Sequence, residues 1–164
     1  MTDHYQEQQQ ARRKALRLLE HMDRTERGLA DRLKQAGFSE KAAEDAVSYV
    51  RELGYINDER YAFHYIMYRI HNKSRQKIFQ ELQQKGVARQ TIQAAWKEAE
   101  ELETPDEHAL LVSLIEKKYP ADSELDEREM RRLMGYFARR GFRQGEISSA
   151  LEELNITFCV TARR

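Results

Sequence analysis

The sequence predicts an all-α protein built from three tandem three-helix repeats. Charged residues make up 34% of the 164-residue chain and only two residues are proline, a composition typical of long helices with solvated faces. A second observation is a pattern of apolar residues that recurs around three glycines, and a third is the helical spacing within that pattern. Together they favour stacked helical units that share a core.

The repeat becomes visible when Gly37, Gly86 and Gly141 are aligned as a common origin. The glycines lie 49 and 55 residues apart, and six apolar columns agree in register around them. The columns hold Leu29, Ile78 and Leu133; Leu33, Leu82 and Phe137; Phe38, Val87 and Phe142; Ala43, Ile92 and Ile147; Ala46, Ala95 and Ala150; and Val47, Trp96 and Leu151. Apolar residues three and four positions apart lie on one face of a helix, and glycine ends the preceding helix because it accepts the left-handed conformation. A single Gly-linked helix pair could arise by chance, but three in one register indicate a repeat.

Helix boundaries follow from capping residues and from breaks in the apolar period. Thr, Ser, Asn and Asp satisfy the first amides of a helix, while glycine or a proline ends one. The predicted N-caps are Thr25, Ser39, Asn57 or Asp58, Ser74 and Thr104. The predicted helix ends lie near Met22, Ala36, Gly54, Gly86, Leu102, Tyr119, Arg140 and Leu154. The expected segments are a flexible N-terminus (1–10, frayed over 1–8), repeat 1 (11–56), repeat 2 (57–103), repeat 3 (104–155) and a C-terminal tail (156–164).

Three segments inside this frame carry more specific expectations. Thr104-Pro105-Asp106-Glu107 resembles a capping box, with proline at the first helical position and Glu107 reaching back. The acidic loop at 121–126 explains the larger second spacing. The aromatic fourth helix is expected to be buried on more than one side, the alternative being a contact surface. Residues 156–161 are β-like in composition, but a tail packed on the last repeat is favoured over a strand, which would have no partner.

Charge is arranged in blocks along a chain whose formal net charge is zero. Residues 69–97 and 128–143 are mainly basic, whereas residues 98–127 are strongly acidic. Solvated helix faces would account for this pattern, since every helix surface carries charge. The functional interpretation is a surface with separate basic and acidic zones, suited to a partner that presents both.

Motifs for catalysis and for metal or cofactor binding are absent from the sequence. There is no Gly-rich phosphate loop, no HExxH motif and no paired-cysteine spacing. His64 and His71 share a helix face but lie about 10 Å apart along it, too far for one metal ion without a third element. We therefore expect a protein that is not an enzyme and has no cofactor and no metal. The single cysteine, Cys159, and the lack of a long apolar run favour a cytoplasmic protein that does not contact membranes.

Two segments closely resemble the RecX family, bacterial proteins that regulate the RecA recombinase. They are Gly54-Tyr55-Ile56-Asn57-Asp58-Glu59-Arg60-Tyr61-Ala62 and Ile78-x-x-Glu81-Leu82-x-x-Lys85-Gly86-Val87. Residues 25–33 and Arg139-Arg140-Gly141-Phe142 resemble parts of the family's first and last units, so the resemblance covers residues 11–154. Asn72-Lys73-Ser74-Arg75 departs from a Gly-rich turn found in many members, and the tail after Asn155 has no counterpart.

The resemblance implies an elongated, curved solenoid of the right-handed type that binds in the groove of the RecA filament on single-stranded DNA. Members typically restrain filament growth, ATP hydrolysis and strand exchange. We expect a monomer that reaches single-stranded DNA through the filament. The expected contacts are basic side chains of the middle and last repeats: Arg69, Lys73, Arg75, Lys77, Arg131, Arg132, Arg139 and Arg140.

Two other functions remain open from the residues alone. Helices joined by a short glycine turn also describe a helix-turn-helix, which would bind naked DNA with a steep salt dependence. Zero net charge and the acidic block argue against direct DNA binding as the main activity. A plain helical scaffold for another protein is the third possibility, and it predicts no effect on recombination.

Overall fold

The structure, a computed structural model, describes residues 2–159 of the chain. Within this range the chain forms nine α-helices and two short strands. They are α1 (Thr2–His21), α2 (Glu26–Gln35), α3 (Glu40–Glu52), α4 (Asp58–Arg69), α5 (Arg75–Gln84), α6 (Arg89–Leu102), α7 (Glu107–Lys118), β1 (Glu124–Leu125), α8 (Glu127–Arg139), α9 (Gln144–Glu153) and β2 (Thr157–Phe158). The predicted all-α repeat fold is confirmed.

The aligned columns of the sequence are the core of the protein. Every column residue is buried except Phe38, which is half-buried against the first core cluster. The three origin glycines have φ angles of 98°, 90° and 94°. The amide of the residue after each glycine donates to the carbonyl oxygen of the column residue that lies four positions before the glycine. The pairs are Phe38–Leu33 (3.2 Å), Val87–Leu82 (3.1 Å) and Phe142–Phe137 (3.1 Å). This is the hydrogen bond of a left-handed helix C-cap, so the turn is the same in all three places.

The chain divides into two compact units. The first holds the described residues up to Met67 together with Glu81–Leu102, and the second holds Tyr68–Gln80 together with the described residues from Glu103 onward. In the first unit, α1 and α2 pack on α3 around a cluster that runs from Ala11 to Ile56. In the second unit, α7 and α8 pack on α9 around a cluster that runs from Leu111 to Ile156.

The N-terminal segment is more ordered than we expected. Residues 2–10 are not frayed but form the first half of α1. The Glu7 carboxylate accepts the Ser39 amide at 2.7 Å, a bond that lowers the pKa of Glu7. Arg12 pairs with Asp45 at 2.8 Å and lies over the Tyr49 ring. Side chains of α1 thus bind both the start and the middle of α3. No local pattern in the polar N-terminal sequence predicts these contacts.

The start of α7 differs from the predicted capping box. Asp106, not Thr104, is the N-cap, and its side chain accepts the amide of Ala109 at 3.0 Å. Pro105 therefore precedes the helix instead of occupying its first position. Glu107 does not reach back to its own cap, because its carboxylate accepts the amide of Arg75 at 2.5 Å.

The strand that we rejected for the C-terminal tail does exist. Thr157 and Phe158 pair in parallel with Glu124 and Leu125, which lie in the acidic loop before α8. The Ile156 side chain is buried in the core cluster, so the expected packing of the tail holds together with the pairing. A partner was available because the long loop that follows α7 supplies an extended segment. Residues 160 and 161 of the β-like stretch lie outside the described residues.

The aromatic helix α4 has one buried and one exposed face. Ala62, Tyr65 and Ile66 are buried, and the Tyr65 hydroxyl donates to Glu81 at 2.6 Å. Tyr68 is 84% exposed. The expectation of burial on more than one side is therefore wrong for the Tyr68 face, which is open to a contact.

Candidate partner-binding groove

Ser74 joins two helices of the second unit, α5 and α8, through two hydrogen bonds of its side chain. Its hydroxyl accepts the amide of Lys77 at 3.2 Å and so caps α5 as predicted. The same hydroxyl donates to the carbonyl oxygen of Arg140 at 2.7 Å, just beyond the end of α8. Ser74 is only 1% exposed, so both bonds are made away from water. The start of α5 is thereby held against the turn at Gly141.

The first unit contains an equivalent joint, by which we mean a buried hydroxyl that caps one helix and also donates to a carbonyl oxygen just beyond the end of another. Thr25 caps α2 by accepting the amide of Gly28 at 3.0 Å, and it donates to the carbonyl oxygen of Lys85 at 2.6 Å. Thr25 and Ser74 both lie twelve residues before an origin glycine, and their acceptors both lie one residue before the next one. Thr25 and Ser74 are the buried polar residues of the described chain. Each hydroxyl is satisfied twice, which explains why a polar group is tolerated there.

A second hydrogen bond accompanies each joint. The amide of Glu26, which starts α2, donates to Asp58 at 2.9 Å, and the amide of Arg75, which starts α5, donates to Glu107. Each acceptor is the first residue of a helix located 32 positions later. Burial raises the pKa of Asp58, and the nearby Glu26 adds to that effect, while the Glu26 amide and Arg51 oppose it.

Beside the Ser74 joint lies a half-open groove of about 510 Å³ within the second unit. Its cationic lining comes from two short segments, Lys73 and Lys77 at the start of α5 and Arg139 and Arg140 at the end of α8. None of the described residues that line it is a carboxylate. Over residues 2–159, no carboxylate lies within 4 Å of the cationic groups of Lys77, Arg139 or Arg140. Three of the four cations at the groove, Lys77, Arg139 and Arg140, thus have no ion-pair partner among the described residues.

The remaining lining is mixed. Asn72 adds an exposed amide, and Leu114, Tyr136 and Phe142 add apolar surface. Two cations flank the Tyr136 ring: Lys118 Nζ is 3.6 Å and Arg140 Cζ is 4.2 Å from its centroid. Attraction to the ring holds Arg140 at the groove without neutralising its charge.

Gly135 makes room for one of the arginines. A Cβ atom at this position would lie 3.1 Å from Nη1 of Arg139, one helical turn later. The guanidinium of Arg139 thus lies back along α8 over the glycine. A larger residue at position 135 would push this guanidinium away from its present place at the groove.

The eight basic residues singled out from the sequence fall into two groups. Four of them line the groove: Lys73, Lys77, Arg139 and Arg140. The other four lie elsewhere in the second unit. Arg75 lies over the Phe79 ring, Arg131 pairs with Glu127 at 2.8 Å, Arg132 is exposed on α8, and Arg69 ends α4. Charge blocks along the chain could not separate these groups, because only the folded helices bring residues 73–77 next to residues 139–140.

Sequence reasoning missed Asn72, Tyr136 and the second role of Ser74. The signal for Ser74 was present, since Thr25 and Ser74 occupy the same position relative to an origin glycine. A small hydroxyl residue recurring at one repeat position indicates a shared contact as well as a helix cap. Nothing in the local sequence distinguishes Tyr136 from a core aromatic residue.

Two histidines of the second unit contact carboxylates at its surface. His71 contacts Glu103, and His108 contacts Glu153. Within residues 2–159, no group of three or more His, Cys, Asp or Glu side chains is arranged to hold a metal ion. No helix in the same range has the length and apolar character needed to cross a membrane.

Comparison with known proteins identifies the relatives of this chain. Family models for the first, second and third three-helix domains of RecX match residues 11–49, 57–95 and 106–151. A protein of Streptomyces lividans named Regulatory protein RecX is 36% identical over 152 residues, which cover 88% of this chain and 79% of the relative. A protein of the same name from Caldanaerobacter subterraneus subsp. tengcongensis is 34% identical over 93% of this chain and 73% of its own length.

The fold is shared as well. The crystal structure of RecX from Lactobacillus salivarius superposes with a TM-score of 0.67 at 24% identity, covering 92% of this chain and 98% of that one. The two relatives of this chain from Streptomyces lividans and Caldanaerobacter subterraneus are named regulatory proteins and not enzymes. The resemblance seen in the sequence is thus confirmed: the chain belongs to the RecX family of regulatory proteins.

Proposed function

We propose that this protein modulates the RecA recombinase by binding in the groove of the RecA filament on single-stranded DNA, and that its effect is inhibition. It would lodge across neighbouring protomers and restrain filament growth, ATP hydrolysis and strand exchange. Membership of the RecX family supports the choice of partner. The observation that carries the proposal is the groove at which four cationic side chains from α8 and the start of α5 converge.

A filament of protein on DNA suits such a surface. DNA phosphates dominate the electrostatic field of any partner that contains DNA, and cationic side chains at a groove respond to that field. The acidic stretch at 98–127 gives the protein a second zone for basic groups of the recombinase. We propose all eight basic residues as contacts, with those at the groove reaching deepest and Arg69, Arg75, Arg131 and Arg132 around them.

The proposal extends to organisation and location. Three repeats at residues 11–56, 57–103 and 104–155 would present their surfaces to successive protomers of the filament, as solenoid repeats do with extended partners. The protein would act as a monomer in the cytoplasm, where the recombinase works, and it would need no cofactor. It would act by occupying the filament and not by catalysis.

The test is ATP hydrolysis by RecA on single-stranded DNA as the protein is titrated in, with binding to naked DNA measured alongside. Suppression at well below one protein per recombinase, together with weak binding to DNA alone, is the expected result. Unchanged hydrolysis with tight, salt-sensitive binding to naked DNA would replace this proposal by the helix-turn-helix function. If the protein neither changes ATP hydrolysis nor binds naked DNA, the remaining function is that of a helical scaffold for another protein.

A further inference from the structure

We propose that a second groove, which lies within the first unit, docks an amphipathic helix of a protein partner, and that this partner helix is basic along the edges of its apolar face. We call it the apolar groove; it is half open and has a volume of about 520 Å³. Its lining comes from α1, from the end of α3 and from the loop that follows α3: Leu16, Leu19, Glu20, Tyr49, Leu53 and Tyr55. All eight basic contacts proposed above belong to the second unit, so this site goes beyond the proposed function.

The groove lies between two helices that run in the same direction. Glu7 of α1 accepts the amide of Ser39 at the start of α3, and Arg12 binds Asp45 further along both helices. The last turns of α1 and α3 therefore lie next to each other, at the groove. Helices pack by placing a ridge of side chains into such a groove, so its shape suits a third helix.

Most of the groove lining is apolar and open to solvent. Leu53 is 49% exposed and Tyr55 is 58% exposed, while Leu16, Leu19 and Tyr49 are half-buried. Contiguous apolar surface on a folded protein marks an interaction site, and tyrosine is enriched at interfaces between proteins. A partner helix with apolar side chains at positions i, i+3, i+4 and i+7 would cover this surface.

The Tyr49 wall of the groove is fixed before a partner binds. Arg12 donates to both carboxylate oxygens of Asp45, at 2.8 and 3.0 Å. The guanidinium carbon of Arg12 lies 4.5 Å from the centroid of the Tyr49 ring, so the same arginine also covers one side of that ring. A wall that is held in place loses less conformational freedom on binding, which favours association.

The charge around the groove selects a basic partner. Glu20 lines the groove from α1, and Glu52 lies on the same face of α3 as the groove residue Tyr49. Both carboxylates are exposed, and among the described residues no cation lies within 4 Å of either. The C-terminal ends of two parallel helices add partial negative charge at the same place. Arg51, in the last turn of α3, is paired with Glu26 at 2.6 Å. Lysine or arginine at the edges of a partner helix would therefore be attracted.

A designed peptide tests the assignment without RecA. The probe is a fluorescein-labelled peptide of about 18 residues, long enough to form a helix, with leucines along one face and lysines at both edges of that face. Fluorescence anisotropy with the full-length protein should show saturable binding, about 10-fold tighter or more than that of the same peptide with glutamates in place of the lysines. Equal binding of the two peptides, or no saturable binding of the lysine peptide, would overturn the inference.

Two double variants of the groove provide independent tests. Leu53→Ala with Tyr55→Ala should weaken binding of the lysine peptide by about 10-fold or more, because it removes two apolar anchors. Both side chains are about half exposed, so the fold should be retained. Glu20→Lys with Glu52→Lys should weaken the lysine peptide by about 10-fold and strengthen the glutamate peptide, and both effects should shrink at high salt. Lysine is favourable near a helix C-terminus, and melting temperature checks the folding of each variant.

The matched control is Glu44→Lys with Glu98→Lys, which makes the same change of charge at exposed positions on α3 and α6 of the first unit. It should bind the lysine peptide like the unmodified protein. Equal losses in the control and in Glu20→Lys with Glu52→Lys would overturn the site, because binding would then follow net charge. Amide NMR spectra of the protein with the peptide should shift at the groove segments of α1 and α3, and shifts confined to the second unit would also overturn it.

A second copy of this chain is the competing occupant of the groove. Sedimentation equilibrium of the unmodified protein should show a monomer at the concentrations used for peptide binding. A dimer that forms with rising concentration, and that Leu53→Ala with Tyr55→Ala abolishes, would overturn the inference in favour of self-association.

Discussion

Ser74 Oγ donates to the carbonyl oxygen of Arg140 across 2.7 Å while accepting the amide of Lys77. One buried hydroxyl therefore caps α5 and fixes the end of α8 beside it. Because Lys77 and Arg140 both line the groove, this small polar residue sets the geometry of the cationic site. The equivalent bond between Thr25 and Lys85 has the same form in the first unit.

The double role of Ser74 gives a stability prediction. Ser74→Ala should destabilise the protein by about 1–3 kcal/mol, since it removes a helix cap and also the hydrogen bond from the buried hydroxyl to the Arg140 carbonyl oxygen. Ser39→Ala is the matched control, because Ser39 caps α3 by the Ala42 amide but is exposed. It should lose only about 1 kcal/mol. Urea denaturation measures both.

Ser74→Thr completes that experiment. Thr25 makes the same two bonds in the first unit, so threonine should be nearly as stable as serine at position 74. Equal destabilisation by Ser74→Ala and Ser39→Ala would show that the bond to Arg140 contributes nothing.

The origin glycines should differ in their tolerance of alanine. A Cβ at Gly141 would lie 2.4 Å from Ser74 Oγ and 3.2 Å from the Lys77 amide nitrogen, whereas nothing lies within 4 Å of one at Gly37. Gly37→Ala should destabilise by about 1–2 kcal/mol, the strain of a left-handed alanine. Gly141→Ala should add the loss of the Ser74 bond, about 1–3 kcal/mol more.

Melting temperature and urea denaturation compare the two glycine variants. Because both residues have positive φ, the difference between them isolates the close approach at Gly141. Similar destabilisation of the two variants would mean that the Ser74 joint relaxes without energetic consequence.

Asp58 should make stability depend on pH. Burial raises its pKa, so the folded protein holds this proton more tightly than the unfolded chain does. Its stabilising contribution is complete below about pH 3.9, the pKa of an unperturbed aspartate, and is lost as the pH rises through the folded pKa. At neutral pH the ionised carboxylate therefore makes the fold less stable than a neutral acceptor would.

Asp58→Asn tests this sign. The amide oxygen can still accept the Glu26 amide, and the side chain is neutral at every pH. We expect the variant to be at least as stable as the unmodified protein at pH 7 and to lose this advantage near pH 4, measured by urea denaturation. Asp31→Asn, at an exposed position, is the control. A variant that is less stable at pH 7 than at pH 4, relative to the unmodified protein, would contradict the prediction.

Charge reversal should separate function from folding. Arg75→Glu with Lys77→Glu should abolish most of the suppression of RecA ATP hydrolysis, because both proposed contacts would then repel the filament. Lys41→Glu, exposed on α3 in the first unit, should retain it. Intact suppression in the double variant would rule out these residues as contacts.

Single reversals refine the assignment. Lys77→Glu should have the larger effect, since Lys77 lines the groove whereas Arg75 lies over Phe79 at a cation–ring distance of 5.8 Å. The readout is the protein concentration that halves hydrolysis, with the melting temperature as a check on folding.

Helix capping shows where local sequence was sufficient. Thr25, Ser39 and Ser74 cap the helices that they were predicted to cap, because a hydroxyl placed before an apolar period has one favourable local partner. Asp106 and Glu107 show where it was not. Two acidic residues competed with Thr104 for the cap, and the amide of Arg75, 32 residues away, decided what Glu107 binds.

The strand pair and the groove depended on contacts that no local pattern encodes. Thr157 pairs with Glu124, across 33 residues, since the long loop offers unpaired backbone groups. Lys77 and Arg139 come from different repeats, so their common groove exists only once α5 and α8 are packed.

The sequence by itself determined the repeat, its register and the left-handed turn at each origin glycine. Those features depend on apolar periodicity and backbone conformation, which act over a few residues and recur with the sequence. Only the tertiary structure decided which charges meet and which hydroxyl is shared. Electrostatic and hydrogen-bonding partners are chosen by distance in space, and the joint between Ser74 and Arg140 spans 66 residues of chain.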